Sequence, residues 1–426
     1  MIPETFLHFV WKILLFDFKN LFTSDGKRVE ILKNGTHNHN QGPDFLHATV
    51  RIGETVWNGN IEMHVQSADW YAHQHEKDEK YNSVILHVVY ASGGKPIYRQ
   101  DGSICPEIII GDKISALAYE RYAVLEGEKT GIPCRSLIGS VSDFHRFAWI
   151  ERLGMMRMEE KFGKMCAENK DKIDWEQIAW EQLMRYMGGN LNGDAFALLA
   201  REIPFSVVKK YTHLPFQLAS LLFGFVWDSM GENVMDEGEE EIQKYWQEYL
   251  YLKQKHNLLT SIGISFSYFR MRPVGFPDIR LAQTVQLLHH YPDLVTLFQR
   301  TDFTDFFQQT IGVSDYWLTH YRAGIVAKQV TKNIGKDQKQ SLIINAFVPF
   351  SYGYRAFHGI EDAETLQENT LTALPPEKNT LLDSFAALDI HAANALQSQG
   401  IIHLKKQYCD AKRCLECGIG AKILKG

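Results

Sequence analysis

The sequence lacks the features that would assign it to several broad classes of protein. Its 426 residues contain only six cysteines, too few for a disulfide framework in so long a chain. No apolar run reaches the roughly 20 residues of a membrane span. The longest candidates are Phe9–Phe16, which Lys12 interrupts, and Leu218–Val226. The first residues, Met-Ile-Pro-Glu-Thr, lack the basic and then apolar layout of a secretory signal. We therefore expect a cytoplasmic protein without a membrane partner.

Neither sign of charge dominates the chain. There are 45 lysines and arginines against 51 aspartates and glutamates, a formal net charge of -6. This balance argues against a protein that coats nucleic acid generally, although a local basic cleft remains compatible with it. Hydrophobic residues make up 45% and charged residues 23%, the composition of an ordinary globular protein. The chain is long enough for two or three domains, and no fixed-period repeat indicates a solenoid.

The hydrophobic pattern changes character along the chain. Residues 1–110 read as helix, strand, strand, strand, helix or loop, and strand. After about Asp143 the apolar residues follow helical spacing and β-branched runs become rare. The pattern predicts an α/β domain over residues 1–135 and an all-helical domain over 143–426. The helical domain is predicted to end in a cysteine cluster. The elements predicted for the α/β domain are a helix over Glu4–Asp17, strands over Val29–Leu32, Phe45–Ile52, Val56–Gln66 and Ser83–Tyr90, and a polar segment over Trp70–Lys80.

Acidic and imidazole groups stand within the predicted strands, and this is the most informative feature of the sequence. In Trp57–Gln66 one face is apolar, while the opposite face carries Glu62 and His64. Asp44 opens the preceding strand, so hairpin pairing would bring its carboxylate beside Glu62. Two carboxylates with an imidazole suit Mg²⁺ or Mn²⁺. The alternative is a half-exposed strand whose polar face is simply solvated.

The order of these elements, with Pro43-Asp44 and Glu62-Met63-His64 at the motif positions, resembles the PD-(D/E)XK nuclease-like superfamily. The resemblance implies that Asp44 and Glu62 bind metal and that Glu4, on the N-terminal helix, is a third ligand. His64 stands where the superfamily has a lysine that helps to activate water. Imidazole can ligate a metal or take a proton, but it has no permanent charge. His64 is thus a candidate base, electrophilic partner or extra ligand.

Several other polar residues are candidates for substrate binding. They are Asn40, Gln66, His73, Arg270 and Arg272. Guanidinium groups suit phosphate oxygens, although interdomain salt bridges explain the two arginines equally well. His73 and His75 can form a second metal site or contact phosphate, but the sequence favours a solvated polar turn. Asn40 is a natural turn former. His87, in an apolar strand, is either a core histidine or a site residue.

Three cysteines crowd the C-terminus as Cys409-x4-Cys414-x2-Cys417. This spacing indicates half of a site for zinc or an iron–sulfur cluster, which requires a fourth ligand. Cys134 or His403 can supply that ligand by folding back. Some iron–sulfur nucleases related to the same superfamily also combine one distant cysteine with three near the C-terminus, but there the distant cysteine precedes the nuclease motif. The alternative is a reduced cysteine turn that packs against the body of the protein.

The whole chain also resembles one uncharacterised bacterial family, domain of unknown function 2851, which implies no established activity. The resemblance rests on Asn40–Phe45, Trp57–His64, Ser67–Trp70, Val84–Val89, Arg272–Pro277 and the cysteine tail. From the residues and the nuclease-like resemblance together, we expect a metal-dependent phosphodiesterase that acts on nucleic acid, a hydrolase. The alternatives are a non-catalytic module that binds nucleic acid or protein, and a hydrolase of a small phosphorylated molecule.

Overall fold

The computed structural model describes residues 2–128, 131–167, 173–231, 239–260 and 263–426. The chain forms two compact units. The first comprises the stretch up to Trp149 together with Leu404–Gly426, and the second comprises Ile150–His403. The last segment of the chain, expected with the helices, thus belongs to the first unit. It does so because its terminal helix packs against a helix of that unit, Ala116–Gly127.

The first unit combines a mixed sheet with a few helices. Its elements are α1 (Glu4–Lys12), β1 (Leu21–Phe22), β2 (Arg28–Lys33), β3 (Thr36–His37), β4 (Phe45–Ile52), β5 (Thr55–Gln66), α2 (Asp69–Ala72), β6 (Val84–Ala91), β7 (Ile97–Tyr98), β8 (Ile104–Cys105), β9 (Glu107–Ile109) and α3 (Ala116–Gly127). The strands predicted from alternation therefore form, with bounds that shift by at most a few residues.

Strands of the main sheet follow the order β1-β2-β4-β5-β6-β9, and β3 adds to β4. The pairs from β1 to β5 are antiparallel, whereas β5, β6 and β9 run parallel. An antiparallel bridge between Thr23 and Ile108 brings the two ends of this order together. The sheet is therefore barrel-like, a closure that strand alternation alone did not predict.

The second half of β5 lies at the centre of this sheet. Ile61, Glu62, Met63 and His64 are all buried, so both faces of the strand are covered there. Helix α1 packs against β5 and buries the apolar residues Phe6, Leu7, Phe9, Val10 and Trp11. This packing holds the polar end of α1 over the strand that carries Glu62.

The second unit is mostly helical and has its own large apolar core. Its elements, with α4 beginning before the boundary, are α4 (Asp143–Ala167), α5 (Trp175–Glu202), α6 (Phe205–Val208), α7 (Pro215–Ser229), α8 (Glu240–His256), α9 (Pro277–His290), α10 (Leu294–Phe298), α11 (Thr304–Gln308), α12 (Asp315–Leu318), β10 (His320–Arg322), β11 (Ile325–Val326), α13 (Lys336–Leu342), α14 (Val348–Phe357), α15 (Ala363–Ala373), α16 (Thr380–Ala386) and α17 (Ala395–His403). The β10–β11 hairpin interrupts a region predicted to be entirely helical, because Gly324, with a φ of 70°, allows a tight turn there.

The final helix of the chain is α18 (Gly418–Lys425), which belongs to the first unit. It packs against α3 and against the 3₁₀ turn Ile138–Ser140. Across the described part of the chain, the helices are all too short or too polar to span a bilayer.

Candidate metal centre

Asp44 and Glu62 lie side by side in the first unit. The backbone N–H of Asp44 donates to Glu62 Oε2 at 3.2 Å, and the N–H of Met63 donates to Asp44 Oδ2 at 2.9 Å. Each carboxylate is therefore held by the backbone next to the other. Glu62 is only 4% exposed and His64 is fully buried. The alternative prediction, a strand with a solvated polar face, holds only for the exposed positions of β5, such as Asn58.

Helix α1 adds two more ligand-type side chains to this point. Glu4 and His8 are one helical turn apart and project toward Asp44. His8 Nε2 lies 3.2 Å from Asp44 Oδ2 and 3.6 Å from Glu4 Oε1. One ligand atom from each of the three residues lies within 4.8 Å of the other two. The sequence analysis named Glu4 but missed His8, although the i, i+4 spacing of the two residues was visible.

A second group of ligand-type side chains consists of three histidines. His64, His73 and His75 bring ring nitrogens within 4.8 Å of one another. His64 Nε2 lies 3.1 Å from His73 Nδ1, and His75 Nε2 lies 3.1 Å from Glu62 Oε1. The His75 nitrogen is buried and makes no geometrically sound hydrogen bond with any described residue. His75 is 8% exposed and stacks on Tyr81 with ring centroids 3.7 Å apart. The interpretation of this segment as a solvated turn is therefore wrong for His75, since aromatic packing buries it.

Behind His64 a chain of hydrogen bonds determines which nitrogen carries its proton. Pairing across β5, β6 and β9 aligns Glu62 with His87 and His87 with Glu107. His87 Nδ1 lies 3.0 Å from Glu107 Oε2, so it is the donor to that carboxylate. A neutral His87 then accepts at Nε2, which lies 2.8 Å from His64 Nδ1. His64 therefore carries its proton on Nδ1, and the lone pair on Nε2 faces the other histidines.

The electrostatics of the cluster disfavour its charged forms. Burial, followed by the charge of Asp44, raises the pKa of Glu62 to about 9. Burial and then Asp44 also raise the pKa of Glu4. Burial and then the neighbouring histidines lower the pKa of His64 to about 2. Burial lowers the pKa of His75 as well. A bound cation would stabilise the carboxylates and ligate neutral imidazoles, so the groups present fit a metal ion.

At two positions on the edge of the cluster, His8 and Glu107, neighbouring groups outweigh the effect of burial and favour the charged form. For His8, burial opposes the charged form, but the close contact with the Asp44 carboxylate and its charge outweigh burial and raise the pKa. For Glu107, burial is outweighed by hydrogen bonds from His87 and from two serines, Ser92 and Ser67, so its pKa is lowered. Glu107 therefore stays anionic. In the hydrogen-bonded relay formed by Glu107, His87 and His64, this fixes Glu107 as the acceptor and His87 as its donor. Glu107 was missed from the sequence, although a lone carboxylate in an apolar strand was the same signal as Glu62.

The remaining predicted substrate residues are spread over both units. In the first unit, Gln66 and Asn40 are exposed, and Asn40 donates its N–H to Asn38 Oδ1 in a local turn. His73 is exposed at the rim of the histidine group. In the second unit, Arg270 and Arg272 are exposed, and the Arg270 guanidinium lies 4.9 Å from the centre of the Phe269 ring.

Comparison with known proteins gives one match. A family model described as "Protein of unknown function (DUF2851)" matches residues 4–380, a range that includes both groups of ligand-type side chains. No match was found among curated proteins or among solved structures.

Proposed function

Because the chain belongs to the DUF2851 family, whose description states no activity, we propose a function from the geometry: a metal-dependent phosphodiesterase that acts on nucleic acid. One observation carries the proposal. The two oxygens of the buried Glu62 carboxylate contact residues from different groups of ligand-type side chains. Oε1 lies 3.1 Å from His75 Nε2 and 3.6 Å from His64 Nε2, while Oε2 accepts from the backbone N–H of Asp44.

The donor atoms on the two sides of Glu62 differ in chemistry. The side with Asp44, Glu4 and His8 is rich in carboxylate oxygen and suits Mg²⁺ or Mn²⁺. The side with His64, His73 and His75 is rich in imidazole and suits Mn²⁺ or Zn²⁺. Paired metal sites that share a carboxylate are a recurrent solution for phosphoester hydrolysis. We assign Glu62 the role of the shared ligand.

Bound divalent metal would supply a water of lowered pKa and positive charge beside a phosphodiester. The protein's own groups hold and orient that chemistry. The N–H of Asp44 holds the Glu62 carboxylate and the N–H of Met63 holds the Asp44 carboxylate, so their ligand oxygens need little reorganisation. The lone pair at His64 Nε2 is directed by His87, which favours a ligand role for His64 over that of a base. Asp44 raises the pKa of His8, so this imidazole must release a more tightly held proton before its Nε2 can bind metal.

The nuclease-like core is part of this proposal. Its support is the order of α1, β2, β4, β5, α2 and β6, with Asp44 just before β4 and both Glu62 and His64 in β5. That order resembles the PD-(D/E)XK arrangement, with His64 in place of the lysine. The substrate class, nucleic acid, is supported by the exposed cations Arg270 and Arg272, which suit phosphate oxygens.

The first test is metal binding by calorimetry. We expect the chelator-treated protein to bind Mn²⁺. Asp44→Asn or Glu62→Gln should weaken binding at least tenfold, since even the partners behind metal ligands contribute about 10- to 100-fold. Glu54→Gln is the matched control, because Glu54 is an exposed carboxylate in the turn between β4 and β5. Equal affinity in all four proteins would remove the metal centre from the proposal.

The second test is turnover. Single-stranded and duplex DNA and RNA are incubated with Mn²⁺ and each of the same four proteins, prepared in parallel. We expect cleavage by the wild type and by Glu54→Gln, and none by Asp44→Asn or Glu62→Gln. Cleavage that survives both substitutions would contradict the proposal. Metal binding without any cleavage would favour the alternative of a non-catalytic binding module.

A further inference from the structure

Five of the six cysteines lie in the first unit, and four of them, all except Cys105, are close enough to act on one another there. Cys134 lies in the loop after α3, while Cys409, Cys414 and Cys417 come from the C-terminal segment. All four are buried, with exposed fractions of 6% to 9%, and none forms a disulfide. Cys134 is therefore the candidate for the distant fourth ligand that the C-terminal spacing requires.

The backbone around the four cysteines brings the two ends of the unit together. The turn Ile138–Ser140, just after Cys134, contacts α18, and Gly131 lies 3.9 Å from Lys405 when measured from the position of an added Cβ to the lysine Cε. Tight turns separate the C-terminal cysteines, with the N–H of Cys417 donating to the carbonyl of Cys414 at 3.3 Å. Cysteines separated by two residues on such a turn are a common half of a zinc or iron–sulfur site.

The sulfurs also interact electrostatically in every pairwise combination. After burial, the pKa of Cys409 is raised by Cys134, Cys417 and Cys414. Burial and then Cys417 and Cys414 raise the pKa of Cys134 to about 12, and burial and then Cys417 raise that of Cys414 to about 12. Each sulfur is therefore near enough to the other three to respond to a charge on them.

Donors to sulfur are already in place at Cys417. Burial raises the pKa of Cys417, but hydrogen bonds to its sulfur from the backbone N–H groups of Gly420 and Ile419 act in the opposite direction. Gly420 is required for this geometry, because an added Cβ would lie 2.2 Å from the carbonyl oxygen of Cys414. N–H groups directed at sulfur stabilise thiolate ligands and tune the centre they hold.

We propose that Cys134, Cys409, Cys414 and Cys417 bind an iron–sulfur cluster. The choice of a cluster over a single zinc ion rests on spacing. Zinc–sulfur bonds of about 2.3 Å place tetrahedral sulfurs about 3.8 Å apart. Among the described residues, no three cysteine sulfurs lie within 4.8 Å of one another. A cubane cluster spaces its four thiolates more widely than one ion does. The cluster fastens the C-terminal segment to the loop that follows α3.

The test is an elemental and spectroscopic analysis of the full chain purified without oxygen and, in a second sample, reconstituted with iron and sulfide. We expect iron and acid-labile sulfide in equal amounts, with the broad visible absorption of sulfide-to-iron charge transfer. This measurement on the wild type needs no variant and is independent of any phosphodiesterase activity.

Variants then locate the cluster. We expect Cys134→Ser and Cys417→Ser each to lower bound iron and sulfide about tenfold or more. Cys166→Ser is the matched control and should leave both unchanged, because Cys166 is half-buried in α4 and no other cysteine shifts its pKa. One zinc per chain without sulfide would overturn the cluster, and so would a wild type that holds neither metal after reconstitution. Iron that persists in both serine variants would overturn the assigned ligands.

Discussion

His64 Nδ1 lies 2.8 Å from His87 Nε2 in the interior of the sheet. Both histidines are fully buried, and on its far side His87 contacts the carboxylate of Glu107 at 3.0 Å. Three residues from three adjacent strands thus form one relay that points the Nε2 lone pair of His64 toward His73 and Glu62. Burying two imidazoles and a carboxylate costs desolvation, which their mutual hydrogen bonds offset in part and a ligand bound at His64 Nε2 would offset further.

Glu107→Gln tests the relay. The amide can no longer hold the proton on His87 Nδ1 by charge, so His64 loses its fixed tautomer. We expect Mn²⁺ or Zn²⁺ affinity to fall roughly 10- to 100-fold, as for other partners behind metal-bound histidines. Calorimetry on chelator-treated protein measures the change. Glu79→Gln, at an exposed position of the same unit, is the control and should bind like the wild type. Unchanged affinity in Glu107→Gln would mean that the relay serves packing alone.

The raised pKa of Glu62 predicts how the stability of the metal-free protein depends on pH. The folded protein keeps a proton on Glu62 up to about pH 9, whereas the unfolded chain loses it near 4.5. The folded state therefore binds more protons in this window, and the free energy of unfolding falls as the pH rises. His64, with its pKa lowered to about 2 from 6.5, acts in the opposite direction below pH 6.5. Considering these two groups, the free energy of unfolding should therefore fall with rising pH between pH 6.5 and about 9.

Denaturant unfolding of wild type and Glu62→Gln measures this effect. Without metal, we expect the wild type to lose up to about 1.4 kcal/mol per pH unit relative to Glu62→Gln above pH 6.5. Added Mn²⁺ should abolish the difference in slope, because the metal replaces the proton. Parallel pH profiles for the two metal-free proteins would show that Glu62 is ionised when folded.

Alternation predicted the strands that carry the site, because β4, β5 and β6 each bury one apolar face or both. It also suggested that Asp44 and Glu62 approach each other through hairpin pairing. They do, because the N–H of Asp44 donates to Glu62 Oε2 and the N–H of Met63 donates to Asp44 Oδ2. What the sequence did not reveal depends on pairing between distant segments. Glu107 joins His87 only through the β6–β9 register, and the closure of the barrel depends on the Thr23–Ile108 bridge. His75 is buried by stacking on Tyr81, which spacing within a polar segment does not indicate.

Gly59 is required where β5 meets β6. An added Cβ would lie 2.4 Å from Ile85 Cγ2 and 2.6 Å from the carbonyl oxygen of Ser83. The register between the strands shifts by one residue just beyond it, between Asn60 and Ile61. Gly59→Ala should therefore destabilise the protein by about 1–3 kcal/mol through overpacking. Urea unfolding measures the loss. Gly139→Ala should be close to neutral, because nothing lies within 4 Å of its added Cβ, and similar losses in the two variants would contradict the steric explanation.

Lys339 is a buried cation of the second unit that serves the backbone. It is 3% exposed, and its Nζ donates to the carbonyls of Phe306 at 2.7 Å, Phe307 at 3.1 Å and Gln309. Lys339→Met would leave these carbonyls unpaired, so we expect a loss of about 3 kcal/mol in unfolding free energy. Lys336→Met, at an exposed position of α13, should change it by less than about 0.5 kcal/mol. Equal midpoints in urea would show that water replaces the lysine.

Arg270 and Arg272 provide the sharpest test of nucleic acid as the substrate class. Both are exposed cations, so phosphate contacts by them would release counterions and make binding depend on salt. We expect Arg270→Ala and Arg272→Ala each to weaken duplex DNA binding for all sequences alike. Each should also reduce the slope of log affinity against log salt by about 0.9. Fluorescence anisotropy at several salt concentrations measures both quantities. Lys378→Ala, which removes another exposed cation of the second unit, is the control. If all three variants keep the wild-type slope, the arginines do not contact phosphate, and the nucleic acid assignment loses its support in this unit.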